Sequence, residues 1–129
     1  MRKHGGSVVL VSSVAARRGL PNHEAIAAAK AGIEGLTLSA AASYARYQIR
    51  FNAVAPGLTK TPMTQSITDN PRSLEYSKSL HPLGRIGEAD DVSSAISWLL
   101  SVEQSWITGQ IIHIDGGLSS VQPPAPLVK

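Results

Sequence analysis

The sequence predicts an α/β fold built on a parallel sheet, and three observations carry that prediction. Short apolar runs at Val8 to Val11, Ile49 to Ala55 and Gln110 to Asp115 are each cut off by small or turn-forming residues, Ser12-Ser13, Pro56-Gly57 and Gly116-Gly117. Between these runs lie two stretches with apolar side chains every three or four residues, a long one from Asn22 to Tyr47 and a shorter one from Glu88 to Leu100. The order is therefore strand, helix, strand, loop, helix, strand. Strands joined through helices run parallel, and such crossovers are right-handed as a rule. Three carboxyl ends then share one edge, where the ligands of such sheets collect.

Taken in order, Val8 to Val11 has the unbroken apolar pattern of a strand covered on both faces. The helix after it is expected to begin near Asn22, a good N-cap, with Glu24 complementing the positive end of the helix dipole. Ile26, Ala29, Ile33, Leu36, Ala40, Tyr44 and Tyr47 form one face, read as lying on the sheet. Ala28, Gly32, Gly35, Ser39 and Ala42 form a second stripe of small side chains, which suits either a subunit contact or tight internal packing. In the second strand Ile49, Phe51, Ala53 and Ala55 alternate with Arg50, Asn52 and Val54. Leu58 to Leu83 is polar, holds Pro62, Pro71 and Pro82, and reads as a long mobile loop, a kind of segment that is usually functional. Gly84 to Gly87 makes a turn, Glu88, Asp90 and Asp91 load the next helix start with negative charge, and Val92, Ala95, Ile96, Leu99 and Leu100 mark its apolar face. From Leu118 the chain carries Pro123, Pro124 and Pro126 and reads as a flexible tail, residues 118–129, after a domain of residues 1–117.

Composition narrows the function. A chain of 129 residues, 43% hydrophobic and 16% charged, fits one globular domain. No apolar run approaches the ~20 residues that span a bilayer, and four apolar residues after Met1-Arg2-Lys3-His4 are too few for a signal peptide, so no membrane partner is expected. Cysteine is absent, which removes disulfides and thiolate metal ligands and agrees with a cytoplasmic location. The net charge of +3 comes from scattered residues, Arg2, Lys3, Arg17, Arg18, Lys60, Lys78 and Arg85 among them, without the interleaved aromatics that stack on bases. No nucleic-acid partner is expected. His81, beside Pro82, and His113, inside a strand, read as structural, and no His/Asp/Glu cluster has metal-ligand spacing.

The motifs VLVSS, AAAKAG, NAVAPGLTKTPM, PLGRIG and ITGQIIHIDGG, in that order from about Gly6 to Gly117, resemble the short-chain dehydrogenase/reductase family. What they resemble is the second half of that family's domain: no G-x-G-x-x-G for a pyrophosphate occurs among the 11 glycines. The resemblance implies a Rossmann-like, doubly wound parallel sheet, here its C-terminal half of about three strands and two main helices. It also implies NAD or NADP as cofactor, hydride transfer to or from a small alcohol or carbonyl substrate, and a homo-oligomer assembled through the long helix and the last helix and strand.

The resemblance assigns roles residue by residue. Ser13 matches the serine that polarises the substrate carbonyl, and Lys30 matches the lysine that lowers the catalytic tyrosine's pKa and holds the nicotinamide ribose. The tyrosine position, thirteen residues after Ser13 and four before Lys30, is Ile26, which has no proton to give. Tyr44 and Tyr47 lie on the order of 30 Å along the helix and cannot stand in. His23 shares a helix face with Ile26 and Lys30, so it is either a substitute general acid or an exposed first-turn residue. Pro56-Gly57 followed by Thr59 and Thr61 matches the turn that holds the nicotinamide carboxamide, or is a plain strand-ending turn. The chain alone is expected not to turn over. It is also expected to dissolve poorly, because a missing strand beside Val8 to Val11 would leave a bare edge. A non-catalytic assembly subunit of the same fold is the alternative reading, and a complete three-stranded flavodoxin-like domain is a third.

Overall fold

The computed structural model describes residues 1–127. Three strands, β1 (Gly6–Val11), β2 (Ile49–Pro56) and β3 (Ile111–Ile114), form one parallel sheet in the order β1-β2-β3. Val8 pairs with Phe51 across the first ladder and Val54 with Ile112 across the second. The middle strand has a neighbour on each side and a helix over each face, so Asn52, Ala53, Val54 and Ala55 are fully buried. The expected alternation is lost there, as it is in any strand covered on both faces.

Helix α1 (Glu24–Tyr44) connects β1 to β2, and α4 (Ala89–Leu100) lies between β2 and β3. The Ser7 hydroxyl donates to the Leu99 carbonyl at the end of α4, whereas the Ser12 hydroxyl reaches Lys30 and Glu34 of α1. Residues an odd number apart along a strand point to opposite faces, so the two helices lie on opposite sides of the sheet. Two steps in the same direction with helices on opposite faces cannot have the same hand. The expectation that both crossovers are right-handed is therefore corrected: one of the two departs from the usual rule.

Three further expectations change. Asn22 does not cap α1: it has a left-handed φ of 61°, His23 occupies the cap position, and no side chain bonds the free amides there. The inward face of α1 is not the purely apolar one. Ile26 and Leu36 are 44% and 56% exposed, while Glu34, Thr37, Ala40 and Ala41 are buried. The segment expected as a mobile loop contains a 3-10 turn at Pro62–Thr64, a single helical turn α2 (Gln65–Thr68) and a ten-residue helix α3 (Pro71–Leu80). Asn70 caps α3 by accepting from the amides of Arg72 and Ser73, and Pro71 occupies the first helical position, where its missing N–H is no loss.

Around β2 the loops are tied by side chains. The buried Asn52 amide donates to the Ile107 carbonyl and its oxygen accepts from the Gln110 amide, which delivers the chain into β3. The Arg50 guanidinium donates to the carbonyls of Ser101 and Ile107. The segment expected as tail begins on the fold: Leu118 is buried, and its carbonyl accepts from Arg18. Among the described residues no strand pairs with the outer side of β1, and Val11 at its end is 43% exposed. A groove of about 670 Å³ lined by Ile49, Arg50, Leu100 and Trp106 opens at the amino ends of the strands, opposite the carboxyl rim. Among the described residues no helix is long and apolar enough to cross a membrane, and no group of acidic, histidine or cysteine side chains could hold a metal ion.

Candidate functional site

The carboxyl rim is built from three strand ends. Beyond β1, the Ser12 amide continues the ladder to the Val54 carbonyl, and the chain then turns into a 3-10 turn at Val14–Ala16. Ser13 caps that turn, its Oγ accepting from the Ala15 amide at 3.1 Å. The hydroxyl proton of Ser13 has no acceptor among the described residues and is free to donate.

Lys30 reaches the same strand end from α1. It is half-buried, and its Nζ donates to the Val11 carbonyl at 2.9 Å, two residues before Ser13. One turn further along α1, the buried Glu34 carboxylate accepts from the Ser12 hydroxyl on one oxygen and from Arg17 on the other. Thus the helix is fastened to both sides of the Ser12-Ser13 turn. Ile26, 44% exposed, offers no polar atom at the position one turn before Lys30. His23 is exposed at the helix start. Its Nδ1 lies 2.7 Å from the Pro21 carbonyl and so carries the hydrogen of the neutral ring, leaving Nε2 as the nitrogen that can take or give a proton.

Across the rim, the Gly57 amide donates to the Ile114 carbonyl and closes the β2–β3 ladder. A Cβ at Gly57 would lie 2.9 Å from His81 Nε2 and 3.0 Å from Asp115 Cβ, so only glycine fits. The Thr59 hydroxyl turns back to the Gly57 carbonyl at 3.1 Å, and Thr59 itself pairs in parallel with Gly87. The Thr61 amide donates to Thr64 Oγ1, whose hydroxyl is spent on the Thr59 carbonyl at 2.6 Å. The amides of Leu58 and Thr59 have no partner among the described residues, which leaves two adjacent donors at the turn for an external oxygen. On the third strand end, Asp115 is buried and accepts from the amides of Gly117 and Ser119 and from the Ser119 hydroxyl.

The structure thus brings Lys30 and Ser13 together at the end of β1 and sets Pro56, Gly57, Thr59 and Thr61 in one turn at the end of β2. A cavity of about 420 Å³ beside them is lined by Leu58, His81, Arg85, Asp91, His113 and Asp115. There Arg85 grips Asp91 with two hydrogen bonds of 2.7 and 2.9 Å, and Asp91 also accepts from the Glu88 amide at the start of α4. Those bonds, with the Arg85 one foremost, hold the Asp91 carboxyl down to about 2 and raise the Arg85 guanidinium. Glu34 and Asp115 support the rim, and Asn52 the entry to β3, without having been singled out from sequence. Their only local signal is a polar side chain in an otherwise inward-facing stretch.

A parallel sheet with helices on both faces and a lysine, a serine and a proline-glycine turn at its carboxyl rim defines a dinucleotide-type α/β domain, or part of one. The chain belongs to the short-chain dehydrogenase/reductase family. Residues 1–119 match the family model described as "Enoyl-(Acyl carrier protein) reductase". A 2,5-dichloro-2,5-cyclohexadiene-1,4-diol dehydrogenase of Sphingobium indicum is 43% identical over 117 residues, which are 90% of this chain and 47% of that protein. A 3-oxoacyl-[acyl-carrier-protein] reductase of Thermotoga maritima is 44% identical over 118 residues, 92% of this chain and 47% of that one. The crystal structure of a gluconate 5-dehydrogenase from Burkholderia cenocepacia, in complex with NADP and tartrate, superposes with a TM-score of 0.88 at 30% identity over 94% of this chain and 47% of that chain. The chain spans about half the length of the curated relatives it matches.

Proposed function

We propose that this chain forms the substrate and nicotinamide side of an NAD- or NADP-dependent oxidoreductase acting on a small alcohol or carbonyl compound. The observation that carries this reading is the Lys30 ammonium on the Val11 carbonyl, next to Ser13. It sets a cation with donors to spare beside a free hydroxyl proton, at the edge where this sheet type binds its ligands. Lys30 would hold the nicotinamide ribose, the free amides of Leu58 and Thr59 would receive the carboxamide oxygen, and Thr61 would flank them. Bound there, the nicotinamide supplies the hydride acceptor or donor. Ser13 would orient the substrate oxygen by donating to it. Residues 1–117 carry the proposed site, the segment from Leu118 stays on the fold through the bonds of Ser119, Ser120 and Val121 to Asp115 and Gly117, and the cytoplasm is the compartment this assignment suits.

Two features fit the relatives less well. The phosphate-cradling glycine turn has no counterpart in these 129 residues, and Ile26 has no proton to transfer. We therefore read the chain alone as inactive, binding a dinucleotide weakly at best. The test is a fusion of the first half of the Thermotoga maritima reductase to this chain, with and without Ile26→Tyr. The reading requires that the fusion bind NADPH or NADH, that it turn over slowly, and that Ile26→Tyr raise kcat by about 10²-fold or more, the usual scale of a positioned proton donor. Tight dinucleotide binding by the isolated chain, or no gain from the tyrosine, would sink it. Should the unmodified fusion turn over well, His23→Ala tells whether the imidazole has taken the acid's place. The second reading, a non-catalytic assembly subunit, is favoured by Ile26 itself and by the exposed small-residue stripe of α1.

A further inference from the structure

The imidazole of His81 is the buried titratable group that the proposed chemistry does not use. It follows directly on α3, is 4% exposed, and its Nδ1 lies 2.7 Å from the Ser77 carbonyl. A carbonyl only accepts, so Nδ1 carries the ring hydrogen and Nε2 carries a lone pair. That Nε2 is buried with no hydrogen-bond partner. It rests against the Gly57 turn, where a Cβ would come within 2.9 Å, and the other side of the residue packs on Gly116, where a Cβ would lie 3.7 Å from the His81 Cβ. The ring is thus a wedge between the ends of β2 and β3, and it fastens the carboxyl end of α3 to both.

We propose that His81 is a protonation-dependent latch: as the neutral imidazole it holds α3 against the Pro56–Gly57 turn, and on taking a proton at Nε2 it lets the helix go. The lone pair has no hydrogen-bond partner there, and the packing bears that cost. An N–H bearing a positive charge in the same place would be buried without an acceptor, which is far more costly than an unpaired lone pair.

The charged groups nearest the ring make no hydrogen bond to Nε2. From β3, the Asp115 carboxylate is already taken by Gly117 and Ser119. Across the cavity Arg85 and Asp91 bind each other, and on α3 itself Lys78 binds Glu75. His113 lines the same cavity and is the other imidazole there. The carbonyl end of α3 favours the cation and strengthens its Nδ1–H bond to Ser77, which offsets part of the cost at Nε2 without supplying an acceptor there. Released, the ring could place both N–H groups in water, so opening takes up a proton. The latched fraction therefore falls as the pH falls.

This inference rests on packing alone and stands or falls separately from the oxidoreductase reading. Hydrogen exchange of the intact chain, read by mass spectrometry at about pH 7.5 and about pH 5 and corrected for intrinsic rates, tests it. Peptides from α3 should lose protection about tenfold at the lower pH relative to peptides from β2. His81→Phe and His81→Gln, neither of which can titrate, should both abolish that pH dependence, so the test survives if one of them folds poorly. His113→Gln should leave it as in the parent chain. Equal protection at both pH values, the same loss in the His81 variants, transfer of the effect to His113→Gln, or simultaneous loss in β2 would each overturn the latch.

Discussion

The Lys30 ammonium lies 2.9 Å from the Val11 carbonyl, at the exposed edge of the sheet. Water can replace a bond at such an edge at little cost, so this contact stabilises the fold weakly. Lys30→Met should change the urea unfolding free energy by less than about 0.5 kcal/mol. In the fusion described above it should weaken NADPH or NADH binding by at least about tenfold, roughly one charge-assisted hydrogen bond. Large destabilisation with unchanged dinucleotide affinity would make Lys30 a structural residue.

Gly57 is required by the protein's own packing as much as by any ligand. Alanine there would drive a methyl group against His81 and Asp115, at 2.9 and 3.0 Å. Gly57→Ala should therefore destabilise the chain by about 1–3 kcal/mol, the range of overpacking. Gly32→Ala, with nothing within 4 Å of its Cβ and a place inside α1, should gain about 0.5–1 kcal/mol. Chemical denaturation of the two variants side by side checks both signs.

How much of this was legible beforehand follows from the kind of signal each element carries. The strands were legible because their apolar runs end at small or turn residues, and Glu88 with Asp91 marked the start of α4. Helix α3 is hidden in the sequence because the polar, proline-containing stretch from Leu58 to Leu83 suggests a loop, whereas Pro62 and Pro71 both sit in the first turns of helical segments, where proline is at home. Asn70-Pro71 was in fact a start signal. The inward face of α1 was misjudged for another reason. Thr37 satisfies its hydroxyl on the Ile33 carbonyl, and Glu34 is neutralised by Arg17 and accepts from Ser12, so polar residues point inward while Leu36 points out and Ile26, at the helix start, stays exposed. Apolar periodicity cannot register a buried group whose partners come from another segment. The Ser13 and Lys30 positions were legible through family resemblance, but the meeting of Gly57 with His81, 24 residues apart, was not.

The fork between Arg85 and Asp91 has a definite pH signature. The folded Asp91 carboxyl is held at about 2, below its ordinary 3.8, so the unfolded chain binds its proton more readily. The stabilisation is present in full above about pH 4 and is lost as the pH falls through about 2. Asp91→Asn removes it while keeping a side-chain oxygen that can accept from the Glu88 amide at the start of α4. The parent chain should therefore melt higher than the variant at neutral pH, and the gap should close between about pH 4 and pH 2. A gap independent of pH over that window would mean that the charge plays no part.

Along α1 the small side chains of Ala28, Gly32, Gly35, Ser39 and Ala42 all face outward, and a Cβ at Gly32 or Gly35 meets nothing within 4 Å. Among the described residues, nothing packs tightly on this stripe. Leu36 and Leu38, on the two flanks of this stripe, are exposed at 56% and 52%, which adds apolar area beside the flat face. A helix of a second copy could approach closely there, and a bulky side chain would hold it off. Gly35→Leu should leave the circular dichroism spectrum unchanged, since it has open space to enter. Its self-association in sedimentation velocity should weaken by at least about tenfold, as expected when a close helix contact is wedged apart. If parent and variant associate alike, the copies meet elsewhere; if the parent stays monomeric at every concentration, the stripe is not a subunit contact.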